Sequence, residues 1–306
     1  MEATIIEARG LSKWFGEIMA VNNLEVAIGA GVTGLLGPNG AGKTTFIRLA
    51  LGLYGPSRGY IHLFGQPPRN NLDVLNRIGY CPEIDRFYEN MSGFEFVRWM
   101  NRLSGMDNKT AKRRAEEACE LVKMTARMRD PIDTYSRGMR QRIKVAQALA
   151  NDPDLLFLDE PMSGLDPEAR EDIFSLIRHL GEAGRTVIFS THVLHEVERV
   201  TSNVLLLHNG CILAQGDIRQ IRGLIDEHPH AITVTCGDPH GLSQQFISDD
   251  ATLSLEFSEG AVTLRTRDPN TAYQHLNELI LNGAFAIEAM TCPDDNLQSV
   301  FEYLIK

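Results

Sequence analysis

Hydrophobic and polar positions change their spacing several times along the chain. Residues 1–30 read as strands broken by turns, Thr4–Arg9 and then Asn23–Ile28. A compact apolar run at Val32–Leu36 predicts a strand, a Gly-rich turn follows it, and Lys43–Leu53 reads as a helix. Short extended pieces are expected at Tyr60–Phe64 and Arg77–Tyr80. From about 90 to 150 the apolar spacing becomes helical, as in Phe94, Val97 and Met100, or Ala115, Ala118, Leu121 and Val122. Leu155–Leu158 and Val187–Ser190 are runs of the kind buried in a parallel sheet, with a helix over Pro167–Leu180 between them. Beyond Gly216 the order becomes strand 231–236, helix 239–247, strands 252–257 and 261–266, helix 270–282, strand 284–290 and helix 295–304. A hairpin turn falls at Ser258-Glu259-Gly260. That β-α-β-β-α-β succession with a closing helix predicts a small α+β sandwich of ferredoxin-like type.

Length changes the picture modestly: 306 residues allow about two domains. The boundaries expected are 1–216, a linker over 217–230 and a C-terminal domain over 231–306. Hydrophobic residues are 43% and charged residues 23%, the balance of an ordinary globular chain. The net charge of -10 argues against a general binder of nucleic acid or of an anionic membrane, which would usually be basic. Its distribution is uneven. Residues 217–306 hold 5 Lys/Arg against 14 Asp/Glu, whereas residues 1–216 hold 25 against 26. Within the first part, 84–150 carries 14 Lys/Arg against 9 Asp/Glu, which is either a solvated basic face or a surface docked near a membrane. No stretch approaches the roughly 20 apolar residues of a spanning helix. The N-terminal residues lack the basic-then-apolar order of a secretory signal. Cys81, Cys119, Cys211, Cys236 and Cys292 are scattered and form no CxxC pair, which fits reduced thiols in a cytosol.

The candidate chemistry starts at Gly37-Pro38-Asn39-Gly40-Ala41-Gly42-Lys43-Thr44, which matches GxxxxGK[ST] between an apolar strand and a helix. Glycines let such a loop turn tightly, so that backbone N–H groups converge on phosphate oxygens and the helix dipole adds to them. Lys43 is expected to reach the β- and γ-phosphates, and Thr44 to hold Mg²⁺. Thr45 follows in the same turn. The second element is Leu155-Leu156-Phe157-Leu158-Asp159-Glu160, an apolar strand ending in two acids at the sheet edge where open α/β sheets bind ligands. Asp159 suits a Mg²⁺ partner. Glu160 can point differently and suits general-base work on the attacking water. The bland alternative is an acid pair at a helix N-terminus.

Five further segments carry a resemblance. Tyr135-Ser136-Arg137-Gly138-Met139-Arg140-Gln141 resembles the LSGGQ signature of ATP-binding-cassette (ABC) ATPases. Ser163-Gly164-Leu165-Asp166 is similar to their D-loop, Ser190-Thr191-His192 to their switch-histidine segment, and Ile78-Gly79-Tyr80-Cys81-Pro82-Glu83 to their Q-loop. Lys13-Trp14-Phe15-Gly16 resembles the adenine-stacking segment, with Phe15 at the aromatic position. All stand in the family order, over residues 4 to about 216. The resemblance implies an α/β fold: a P-loop NTPase core with an antiparallel β subdomain and a helical subdomain over about 84–150. It implies ATP and Mg²⁺ as cofactors. Phe15, Ser136, Gly138 and Asp166 join the phosphate loop in binding nucleotide, Glu83 and Asp159 join Thr44 at the metal, and Glu160 and His192 are the catalytic pair. Read without the family, Ser136 is a plain helix cap, His192 a satisfied histidine at a strand end and Phe15 a core aromatic.

In this family the signature of one subunit closes over ATP held by another. One chain with one phosphate loop and one signature therefore implies a dimer, with itself or with a second ABC ATPase subunit. Having no span of its own, the chain is expected to work on a separately encoded polytopic membrane permease, peripheral to the cytoplasmic face of the inner or plasma membrane, with no nucleic-acid partner. Three departures from the family pattern stand out: Glu83 for Gln, then Tyr135, Arg137 and Met139 for Leu, Gly and Gln, and Gly164 for Ala. Glu83, the SRGMRQR signature and the ending Cys292-Pro293-Asp294-Asp295-Asn296-Leu297-Gln298-Ser299-Val300-Phe301 resemble the export-type branch, the ATPases of drug, lipid, polysaccharide and copper-site-maturation exporters. An importer ATPase and a soluble regulatory ABC ATPase remain the alternatives at this level.

Overall fold

A computed structural model of the chain describes residues 4–217, 230–247, 249–258 and 260–291. It divides into two compact units, Met1–Asp217 and Ile218–Lys306. The interior of the expected linker (218–229), Glu259 of the hairpin turn, the 292–301 ending and the helix expected over 295–304 lie outside the described residues.

The first unit opens with β1 (Ile6–Phe15) and β2 (Ile18–Ile28), followed by β3 (Val32–Leu36), α1 (Lys43–Ala50), β4 (Arg58–Leu63), α2 (Leu72–Leu75) and β5 (Ile78–Cys81). Three helices follow, α3 (Gly93–Leu103), α4 (Asn108–Leu121) and α5 (Arg137–Leu149). The unit ends with β6 (Leu155–Leu158), α6 (Pro167–Glu182), β7 (Thr186–Thr191), α7 (Leu194–Glu198), β8 (Asn203–His208) and β9 (Cys211–Asp217). Strands β2-β1-β4 form an antiparallel sheet, and β5-β6-β7-β3-β8-β9 form a second sheet that is parallel except for β9. Both sheets pack on one core that includes Ile6, Leu24, Phe46, Ile47, Phe157 and Leu205. The parallel strands are buried on both faces, which is why they read as unbroken apolar runs.

The register decides where the chemistry sits. Leu36 pairs with Thr191, and Leu158 with Phe189. The residues that follow β3, β6 and β7 therefore leave the same edge of three neighbouring strands. The phosphate loop, the acid pair and His192 are thus gathered at the strands' carboxyl ends.

Three helices are inserted between β5 and β6. The first has a capping box, with Glu95 N–H donating to Ser92 Oγ and Ser92 N–H donating to the Glu95 carboxylate. Asp107 caps α4, which buries Ala111, Ala115, Ala118 and Cys119; Leu121 from the predicted stripe stays exposed. Some boundaries differ from the pattern reading. A register shift between Ala8 and Leu11 marks a bulge, and β1 continues through it to Phe15 instead of ending at Arg9. The first helix closes at Ala50, because Gly52 turns into the left-handed region at φ +67 before Leu53 is reached.

The second unit contains β10 (His230–Cys236), α8 (Pro239–Gln244), β11 (Thr252–Ser258), β12 (Ala261–Thr266), α9 (Pro269–Leu281) and β13 (Ile287–Thr291). All its strand pairs are antiparallel, in the order β11-β12-β10-β13, which is the ferredoxin-like arrangement. Both helices start with an Asp cap followed by Pro, from Asp238 and Asp268. Their apolar sides cover Ile232, Val234, Val262 and Leu264.

Candidate functional site

The phosphate loop lines a cleft of about 350 Å³ with Pro38, Asn39, Gly40, Ala41, Gly42, Lys43, Thr44 and Thr45, to which Ala20, Glu83 and Glu160 add side walls. Gly42 caps α1 at φ +105, and a Cβ there would lie 2.6 Å from the Ala20 carbonyl, so glycine is needed for both reasons. The Lys43 side chain is buried and folds back over its own loop. Its ammonium donates to the carbonyls of Gly37 at 2.6 Å and Pro38 at 3.3 Å, and pairs with Glu160 Oε1 at 3.1 Å. The two carbonyls are neutral partners from its own loop, and an incoming phosphate would offer the ammonium anionic oxygens in their place.

The two acids at the end of β6 face different surroundings. Asp159 is 1% exposed. Its Oδ1 accepts from Ser190 Oγ at 2.7 Å and from Thr44 Oγ1 at 3.3 Å. Its Oδ2 is buried with no hydrogen-bond partner. Burial pushes this carboxyl above the usual carboxylate range, against the pull of the Ser190 and Thr44 bonds. Glu160 adopts φ +48, which turns it away from Asp159. Its N–H donates to Ser190 Oγ at 2.8 Å, and its Oε2 lies 3.1 Å from His192 Nδ1. Lys43, Glu160 and His192 therefore form one contiguous group.

The other expected residues sit elsewhere in the unit and do not line this cleft. Ser136 caps α5, accepting from Met139 N–H at 3.3 Å. Gly138 faces Ala169 of α6. Asp166 caps α6, accepting from Ala169 N–H at 2.8 Å. Phe15 is 43% exposed at the end of β1, edge-on to Tyr54 with ring centroids 5.2 Å apart.

Two of the departures from the family pattern have a structural reason. The Tyr135 hydroxyl donates to the Arg127 carbonyl at 2.8 Å and accepts from Gly93 N–H at 3.3 Å, tying the signature to the start of α3. The Arg137 guanidinium lies over Gly164, where a Cβ would come within 2.0–2.2 Å of it at φ +65. Arginine in the signature and glycine in the D-loop are thus sterically matched.

Four contributors were not singled out from sequence. Ser190 bridges the two acids as donor to one and acceptor from the other. Thr191 Oγ1 donates to the buried Glu196 carboxylate at 2.5 Å and accepts from Val193 N–H at 3.1 Å, bracketing His192. Lys144 of α5 holds residues 82–85. Ser190 and Thr191 already stood in a noted motif, but the partners of all four are distant in sequence or set by a turn, and no spacing rule marks them.

The family model described as ABC transporter matches residues 21–163, and one described as an AAA domain, putative AbiEii toxin, matches 130–198. The bacitracin transport ATP-binding protein BcrA of Enterococcus faecalis is 31% identical over 305 residues, covering 98% of this chain and 96% of that protein. The chain belongs to the ATP-binding subunits of ABC transporters. It binds ATP and is an ATPase of that family. The Nod factor export ATP-binding protein I of Cupriavidus pinatubonensis is 38% identical over 214 residues, 69% of this chain and 66% of that protein. A solved ATP-binding subunit of an ABC transporter superposes with a TM-score of 0.64 at 27% identity, over 72% of this chain and 93% of that one. Among the described residues, no helix of this ABC subunit is long and apolar enough to cross a membrane.

Proposed function

We propose that this subunit powers export through a separately encoded polytopic permease, working as a dimer at the cytoplasmic face of the membrane. The observation that carries this reading is the split arrangement of the motifs. The phosphate loop, Glu160 and His192 meet at one strand edge, while Ser136 and Gly138 lie outside that cleft and need a second subunit's nucleotide to act on. Export is favoured over import because similarity to the bacitracin transport protein extends over nearly the whole chain, second unit included, and a Nod factor export protein matches over 214 residues.

Binding begins with the triphosphate displacing Lys43 from the Gly37 and Pro38 carbonyls. The donors of the loop and of α1 then hold the phosphates in line for attack. The Mg²⁺ site fits the residues present: an orphaned, buried Asp159 Oδ2, the Thr44 hydroxyl beside Oδ1, and a Glu83 side chain in the cleft wall. Mg²⁺, when bound there, supplies charge neutralisation for the β- and γ-phosphate oxygens. Once the phosphate takes Lys43, Glu160 is released to accept a proton from the attacking water. His192, 3.1 Å from Glu160, keeps that carboxylate in line and reaches toward the γ-phosphate.

A groove of about 430 Å³ between β5 and α3 supports a permease contact. Its lining mixes Ile78, Tyr80 and Met100 with Asn101 and Gln147, and Leu103 beside them is 78% exposed. The test of the whole reading is Glu160→Gln. It is expected to bind ATP with parent affinity, lose hydrolysis by about 100-fold or more, and accumulate as a dimer in ATP. Near-parent turnover in that variant refutes the base assignment, and a strictly monomeric state in ATP refutes the dimer.

A further inference from the structure

The geometry points to Lys144 as a positioning residue that fastens the Glu83 loop to the signature helix, so that the metal-facing side chain and Ser136 move as one body. Lys144 lies on α5, two turns beyond Ser136, and is 6% exposed. An ammonium has three N–H donors and no acceptor. Here all three find oxygens on one short segment: the Pro82 carbonyl at 3.1 Å, the Glu83 carbonyl at 2.9 Å and Asp85 Oδ1 at 2.7 Å. No other partner of this buried cation is found among the described residues. Its bonding capacity is spent entirely on residues 82–85.

That segment leaves β5, whose last residue is held in the sheet where the Asp159 N–H donates to the Cys81 carbonyl at 2.9 Å. Gln141, one turn before Lys144 on the same helix, adds a long contact to Cys81 Sγ at 3.6 Å. Beyond Cys81, the bonds that residues 82–85 make to Lys144 run to α5. Meanwhile the Glu83 side chain lines the phosphate cleft beside Lys43 and Thr44. Backbone fixed by one element and side chain presented to another is the arrangement of a rigid strut. The Asp85 carboxylate, 2.7 Å from the ammonium, is the counter-charge of this buried cation, so Lys144 also neutralises an acid on the segment it holds. The consequence for coupling rests on the proposed function: a displacement of α5 when Ser136 engages nucleotide carries Glu83 with it.

The test uses full-length Lys144→Met, which keeps the length and apolar stem, with Lys144→Arg and Asp85→Asn beside it. In the nucleotide-free chain, tryptic cleavage after the exposed Arg86 is expected to quicken about tenfold or more in Lys144→Met, the loss of charge-assisted bonds, with cleavage elsewhere in the unit unchanged. Lys144→Arg should restore most of the resistance, and Asp85→Asn, which keeps the two carbonyl bonds, should fall between. In steady-state turnover, the magnesium concentration for half-maximal rate should rise several-fold in Lys144→Met, while metal-free ATP binding stays at the parent value. A folded Lys144→Met chain with parent cleavage at Arg86 overturns the clamp, whatever its turnover. If Lys144→Met does not fold, parent-like cleavage in Asp85→Asn overturns it instead. Faster cleavage with an unchanged magnesium response overturns the strut to Glu83. Failure of the exporter reading would leave the cleavage result standing, because that measurement needs no nucleotide, dimer or permease.

Discussion

Asp159→Asn should make the nucleotide-free protein more stable and the working protein worse. The parent buries a carboxylate with one oxygen satisfied and the other without a partner. Leaving a buried acceptor unsatisfied costs about 1–3 kcal/mol, and more when it is charged. Asparagine has the same shape and keeps an oxygen for Ser190 and Thr44. It still leaves a neutral amide nitrogen in the orphaned position, so the recoverable part is about 1–2 kcal/mol. For a unit of this size that corresponds to roughly 2–8 °C in melting temperature. The pH dependence follows from the raised carboxyl. A folded-state value above the unfolded one means that the folded chain holds its proton longer, so stability falls as pH rises from 3.8 through the folded value. The burden is fully present at neutral pH, and the advantage of Asn should shrink as pH drops toward 3.8. The assay is thermal unfolding by circular dichroism in EDTA, then in Mg²⁺-ATP. Ligand should raise the parent's melting temperature far more than the variant's, because the variant has lost the metal-facing charge. An unchanged or lower melting temperature for folded Asp159→Asn in EDTA at neutral pH would refute the argument that the orphaned oxygen is a stability burden held for a cation.

Two shorter predictions accompany it. Lys43→Ala removes the cation proposed to face the phosphates and should abolish ATP binding in a fluorescence titration while leaving the fold intact; retained affinity would show that the loop amides suffice. Tyr135→Phe loses the bonds to Gly93 and Arg127, and should lower stability by about 1–3 kcal/mol with turnover per folded molecule unchanged. A loss of turnover without a loss of stability would place that hydroxyl in the reaction.

Much of the site was readable because its signals are local. A glycine-rich turn between an apolar strand and a helix is a statement about eight consecutive residues. Leu155–Leu158 announces both burial and the edge at which Asp159 emerges. The βαββαβ order of the second unit was legible from alternation such as Leu253, Leu255 and Phe257, bounded by turn residues. What sequence could not supply was pairing at a distance. Nothing near Lys144 says that its ammonium meets Pro82, Glu83 and Asp85. Nothing near Tyr135 says that its hydroxyl reaches Gly93. The strand boundary missed at Arg9 has the same origin, since a bulge is defined by the partner strand and not by the bulged one.

The acid pair shows how two adjacent identical functional groups come to have separate tasks. Strand geometry alone would send successive side chains to opposite faces. Here β6 ends at Leu158, and the left-handed turn at Glu160 adds a second rotation. One carboxylate is driven into the core, where hydroxyl donors and the field of Arg48 do not offset its burial and it has a raised tendency to hold its proton. The other is kept against Lys43 and His192, two groups that can each bear positive charge. Ser190 joins the two, since its hydroxyl donates to Asp159 and accepts from the Glu160 amide. A carboxylate with an unsatisfied oxygen and, among the described residues, no cation bonded to it gains most from a metal ion. A group whose counter-ion is also the phosphate ligand becomes free only when phosphate arrives. On the proposed assignment of Glu160 as base, the order of events, nucleotide first and base second, follows from which carboxylate Lys43 touches: while Lys43 pairs with Glu160, that carboxylate is not free for water.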